Sequence, residues 1–263
     1  MHSLTKNENL NLESGNKIYY ALRIASAMCF IGHGAFGIIT KEIWTNYFGV
    51  FGIGHAASYN LMPIVGTIDI LCGLIILFYP IKAFVMWLVL WGFVTALLRP
   101  MSGEAFPELI ERAGNFGAPL ALLIFSGGIN LKNIFKPLLP DVNLKTNTLA
   151  SLTIILRIVV CLLLVGHGWL NIIEKKGILS QYTSLGFSDP ALISQFVGFF
   201  EIFAGLAVLI RPIRTFILVL FIWKMTTELF YPHYELFEWI ERGGSYGAIL
   251  ALWFTLGALS ATE

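Results

Sequence analysis

Charge is what this chain has least of. Of 263 residues only 17 are Lys or Arg and 16 are Asp or Glu, 13% in all, against roughly 25% in ordinary soluble domains. So sparse a complement excludes a water-soluble globular fold. The balance of +1, with no basic cluster, excludes nucleic acid as a partner. Cysteine is nearly missing as well: Cys29, Cys72 and Cys161 are odd in number, lie in apolar runs and form no CxxC. That leaves neither a disulfide framework nor a structural zinc site. No phosphate-cradling glycine loop, HExxH helix or nucleophile–base pattern points to a hydrolase or nucleotide enzyme.

What remains is apolar. Hydrophobic residues make up 57% of the chain, and eight runs are long enough, or nearly so, to cross a bilayer as helices. They are Ile18–Thr40, Leu61–Tyr79, Ile81–Leu98, Gly114–Asn130, Ser151–Ile173, Ala191–Ile210, Pro212–Tyr231 and Gly244–Ser260. The expected fold class is therefore an all-α integral membrane protein with eight transmembrane helices. Proline at Tyr79-Pro80 and Arg211-Pro212 turns two of the junctions into tight hairpins. Residues 1–17 form a polar tail with no signal-peptide pattern, so the first span reads as a retained anchor. An even number of spans puts both termini on one side. Lys82, Lys136, Lys145, Arg211 and Arg214 share that side, while most acids lie on the other, so the positive-inside rule predicts cytoplasmic termini in the cell inner membrane.

The chain also repeats itself. At an offset of 134, Leu22-Arg23-Ile24 falls on Leu156-Arg157-Ile158 and Gly32-His33-Gly34 on Gly166-His167-Gly168. At 132, Gly66, Asp69, Gly73-Leu74 and Trp91 fall on Gly198, Glu201, Gly205-Leu206 and Trp223; at 130, Ile110-Glu111-Arg112 falls on Ile240-Glu241-Arg242. This reads as a tandem duplication: residues 18–130 and 151–263 as two four-helix repeats, joined by a cytoplasmic linker at 131–150. Units with an even number of spans insert in the same direction, about a pseudo-two-fold axis along the membrane normal.

A first span carrying Arg-x(9)-His-Gly and a second carrying an acid followed by Gly-Leu resemble the DoxX family. That family includes DoxD-like subunits linked to thiosulfate:quinone oxidoreduction and the MauE proteins of amine dehydrogenase maturation. The resemblance covers both halves, although the family's usual form is a single four-helix unit. It implies a four-helix membrane fold and a redox setting.

Ionisable groups within spans are costly and by default mark a functional site. Here they are His33, Asp69, His167, Glu201, Lys224 and Glu228. At 1.5 Å per residue, His33 lies about 10 Å inside its helix end and Asp69 about 12 Å from the same face, so the two can meet. His167 and Glu201 repeat the arrangement, and Lys224 and Glu228 approach it from the seventh helix, where their first-repeat counterparts are Gly92 and Ala96. The expectation is one His–carboxylate pair per repeat, for which three readings stand: a structural pair, a proton- or quinone-linked site, or metal ligation. In the last, His33 and His167 supply both axial ligands of one haem b or, with Asp69 and Glu201, a metal site. Glycines beside each histidine admit either a flat ligand or a neighbouring helix.

Arg23 and Arg157 read as snorkelling or as pairing within the bundle. Glu111-Arg112 and Glu241-Arg242 read as helix N-terminal capping or as substrate binding. Trp91, Thr95 and Arg99, like Trp223, Thr227 and Tyr231, form a stripe that is either packing or a quinone groove. The function expected is a membrane redox component exchanging electrons or protons with quinone, as a subunit of a quinone-linked oxidoreductase. A proton-coupled small-solute transporter and a membrane scaffold or maturation partner of an exported redox protein are the alternatives.

Overall fold

The computed structural model describes residues 6–128, 133–140, 145–231 and 236–260, with side chains from residue 12. Asn130, the outer limits 1 and 263 of the expected segments, and parts of the expected linker lie outside these. The chain runs through α1 (Lys6–Ile38), α2 (Trp44–Gly49), α3 (His55–Phe78), α4 (Lys82–Met101), α5 (Pro107–Glu111) and α6 (Ala113–Phe125). The remainder are α7 (Thr146–Ile172), α8 (Lys176–Ser184), α9 (Pro190–Ile210), α10 (Arg214–Leu229), α11 (Leu236–Glu241) and α12 (Gly243–Ser260). No strand occurs among the described residues.

Six helices are long and apolar enough to cross a membrane: α3, α4, α7, α9, α12 and α1 from Leu12. The other two expected spans form helices but are shorter. The 13 residues of α6 span about 20 Å and the 16 of α10 about 24 Å, below the roughly 30 Å hydrocarbon thickness. In α6 a break at Arg112 separates the helix from α5. In α10, Lys224 and Glu228 interrupt the apolar run, and both are buried. The polar tail is helical from Lys6, continuous with α1.

The expected proline hairpins join α3 to α4 and α9 to α10. Residues 133–140 do not hang free: Leu138 N–H donates to Pro80 O at 2.7 Å, Ala83 N–H to Ile134 O at 2.8 Å, and Tyr19 Oη to Leu138 O at 2.7 Å. At the same end Arg23 donates to the carbonyls of Ile76 and Leu77, and Arg157 to those of Leu209 and Ile210. These guanidiniums satisfy the orphan carbonyls where α3 and α9 stop, so they pair within the bundle.

The helices interlock. α1 packs on α3 and on α12, while α7 packs on α9 and on α6, so α1, α6, α7 and α12 form the centre. Its core includes Phe30, Leu122, Phe125, Leu156, Leu163 and Leu252. Lipid is as apolar as these side chains, so close backbone approach must hold helices together where hydrophobic expulsion cannot. Gly114 and Gly244 meet backbone to backbone, and a methyl on Gly114 would come within 2.6 Å of Gly244 C. Phe196, Phe199, Phe203 and Ile210 of α9 project outward, as a lipid-facing surface requires.

Candidate functional site

Two similar constellations form where α1 and α7 approach their loop-rich ends. In one, His33 on α1 shares a 2.7 Å hydrogen bond through Nδ1 with Asp69 Oδ2 on α3, and Trp91 Nε1 on α4 donates to Asp69 Oδ1 at 2.8 Å. In the other, His167 on α7 bonds through Nδ1 to Glu201 on α9, and Trp223 Nε1 on α10 donates to Glu201 Oε1 at 3.0 Å. Each carboxylate is thus held from two sides and orients an imidazole, leaving Nε2 as the ring nitrogen not engaged by that carboxylate. The stripe tryptophans therefore do more than pack. Trp91, Thr95 and Arg99 also line a cleft.

Glycine decides what can approach the histidines. Gly34 packs on Gly66 of α3 and Gly168 on Gly198 of α9. On the opposite flank, Gly32 abuts the backbone of Glu241 in α11, and Gly166 that of Glu111 in α5. Both flanks are filled by neighbouring helices, so no flat ligand can lie there.

The surroundings of the two Nε2 atoms differ. His167 Nε2 lies 4.0 Å from Glu228 Oε1, and that carboxylate meets Lys224 Nζ at 2.6 Å and Arg242 Nε at 3.0 Å. Lys224 also lies 3.6 Å from Glu201. All are buried, so this half is a closed network of paired charges. His33 instead faces a cleft of about 60 Å³, whose lining includes Trp44, Tyr47, Phe51, Trp91, Arg99 and Arg112. Trp44 of α2 covers the imidazole, ring centroids 4.7 Å apart. The cleft continues into a polar mouth of about 260 Å³ with Lys41, Lys175, Glu238 and Arg242 on its walls.

At the break before α6 no side chain makes a capping hydrogen bond. Glu111 instead binds Arg112 at 2.8 Å and Arg242 across the bundle. Arg112 also holds Glu108 at 2.7 Å, and Glu108 meets Lys175 at 2.6 Å, while Lys41 reciprocally meets Glu238. Burial alone would raise the Glu111 carboxyl, but Arg242, then Arg112 and Lys175, override it and hold it well below the usual carboxylate range. Glu241 is likewise lowered: burial opposes, and Arg112, Arg99 and His33 prevail.

Neither metal nor haem fits these side chains. No cleft described above is lined by both His33 and His167, and the glycine flanks are closed. Glu111, His167 and Glu228 offer three atoms within 4.8 Å of one another. Arg112, Arg242 and Lys224 already neutralise those carboxylates, and a divalent ion would face three cations.

Six of the expected residues fall into two groups, His33 with Asp69, and His167 with Glu201, Glu228 and Lys224. Trp44, Tyr47, Glu108 and Lys175 were not anticipated. One signal was present: Lys41 and Lys175 each follow a His-bearing helix at the 134-residue offset.

The helices and their buried polar network define a polytopic membrane protein whose charged groups gather at one end. Within its second half, residues 152–225 match the DoxX family model. No curated protein and no solved structure matches the chain.

Proposed function

We propose that this protein is a quinone-binding membrane subunit of two fused DoxX-like units, related by a pseudo-two-fold axis. Its termini are cytoplasmic and its charged end faces outward across the inner membrane. The reciprocal pairs support that symmetry: Lys41 with Glu238 and Lys175 with Glu108, or Gly32 on α11 and Gly166 on α5.

The observation that carries the function is the aromatic cleft over His33. Trp44, Tyr47, Phe51 and Trp91 suit a planar ring, and the Asp69-bound imidazole presents Nε2 to it. Reduction of a quinone takes two electrons and two protons and yields a quinol. His33 would pass protons between a quinone oxygen and the polar mouth, with Asp69 stabilising the imidazolium. The electrons come from a partner oxidoreductase, for which this chain is the membrane anchor.

Titrating the purified protein with short-chain ubiquinone, read by tryptophan fluorescence, tests this. Saturable quenching at one quinone per chain, weakened at least tenfold by Trp44→Ala, is expected. Linear, non-saturating quenching identical in the variant would refute it.

A further inference from the structure

Arg112 carries a buried donor with nothing to bind. Its Nη1 holds Glu108 and Glu111, but its Nε has no hydrogen-bond partner, on a side chain nine-tenths buried that lines the His33 cleft. An unsatisfied buried N–H is costly, and in a cleft wall it marks where an acceptor belongs.

In the other half the corresponding atom, Arg242 Nε, also forms no hydrogen bond, but a carboxylate stands beside it as an ion-pair partner. Arg242 occupies the break between α11 and α12 as Arg112 occupies that between α5 and α6. Arg242 Nε lies 3.0 Å from Glu228 Oε2, and His167 Nε2 lies 4.0 Å from Glu228 Oε1, so one side-chain carboxylate faces both groups. Glu228 stands five residues after Trp223, the tryptophan that holds Glu201. The residue five after Trp91, which holds Asp69, is Ala96. A methyl stands where a carboxylate would; Ala96 itself is buried, and its neighbour Thr95 lines the cleft.

We propose that a ligand oxygen completes the first half by standing where the Glu228 carboxylate stands in the second, bound between His33 Nε2 and Arg112 Nε. This rests on the quinone reading above and deepens it: the oxygen is one carbonyl of the quinone ring. Charge selects a carbonyl over a carboxylate. Glu228 is neutralised by Lys224, four residues earlier, whereas the position four before Ala96 is Gly92. Arg112 already pairs with Glu108 and Glu111 and acts on Glu241 as well, so a further anion would find its charge already matched, whereas a neutral acceptor needs no counter-charge. Arg112 is thereby a binding residue, and at position 96 the chain offers no side-chain oxygen to take the ligand's place.

Ala96→Gln installs a neutral amide oxygen on the chain itself, and Ala96→Met the same length without one. Both full-length variants are titrated with short-chain ubiquinone and melted in detergent without quinone. Ala96→Gln should bind quinone at least tenfold more weakly than the native chain while melting several degrees above Ala96→Met. Quinone binding by Ala96→Gln within twofold of native, or equal melting of the two variants, overturns the oxygen site. Failure of the native chain to bind quinone, with Ala96→Gln still the more stable, refutes the quinone reading alone and upholds the oxygen site.

Discussion

Replacing Arg242 with Gln tests the charged joint most directly. Its guanidinium binds Glu111 and lies 3.0 Å from Glu228, carboxylates only 4% and 2% exposed, so the change removes one cation from each of two buried anions and leaves Arg112 at Glu111 and Lys224 at Glu228. Removing one partner of a buried pair costs about 3–5 kcal/mol, because the survivor keeps its desolvation penalty. For a chain of this size that lowers the melting temperature by roughly 6–20 °C. Glu111→Gln should cost less, since Arg242 retains Glu228, and the double variant should cost less than the sum, with a coupling of about 1–3 kcal/mol. The carboxyl of Glu111 is depressed in the folded state, so its contribution is complete above the unfolded value near 4.3 and fades as pH falls below it. The stability gap between the native chain and Glu111→Gln must therefore narrow from about pH 5 to pH 3. Melting in detergent across that range provides every quantity. Additive single effects, or an Arg242→Gln variant within 1 kcal/mol of native, would refute the reasoning.

Gly166→Ala drives a methyl into the Glu111 backbone, which cannot yield as a side chain could, and should cost about 1–3 kcal/mol or more by melting. Gly103→Ala, at an open loop position, supplies a poor control because its φ is +98°; Gly49→Ala, with open space around it, should stay within about 0.5 kcal/mol. Lys41→Ala breaks a pair whose lysine is one-third exposed, so its effect should be at most about 1 kcal/mol and should shrink further in high salt. Arg23→Ala uncaps the carbonyls of Ile76 and Leu77 and should speed hydrogen exchange in the last turn of α3, leaving that of α9 unchanged.

Composition and periodicity made the helices legible, because an apolar run long enough to span a bilayer has few other ways to satisfy its backbone. They overstated α6 and α10: the break at Arg112, whose partner carboxylates include Glu108 and Glu111, shortens the first, and the second runs only from Arg214 to Leu229. The pairing of His33 with Asp69 and of His167 with Glu201 followed from depth alone, since rise per residue is fixed. Arg23 and Arg157 were ambiguous in sequence because snorkelling and carbonyl capping need the same residue at the same depth. Glu111 and Glu241 looked like caps because each precedes a helix, but the competing cation comes from the other half of the bundle.

The sequence by itself determined a helical membrane protein and the depths of its buried polar groups, because hydropathy and helical rise are local properties. Tertiary structure alone decided that one histidine looks onto a carboxylate and the other onto an open cleft. That difference depends on which side chains from four separate helices share one small volume, and Ala96 or Arg112 shows its meaning only beside His33.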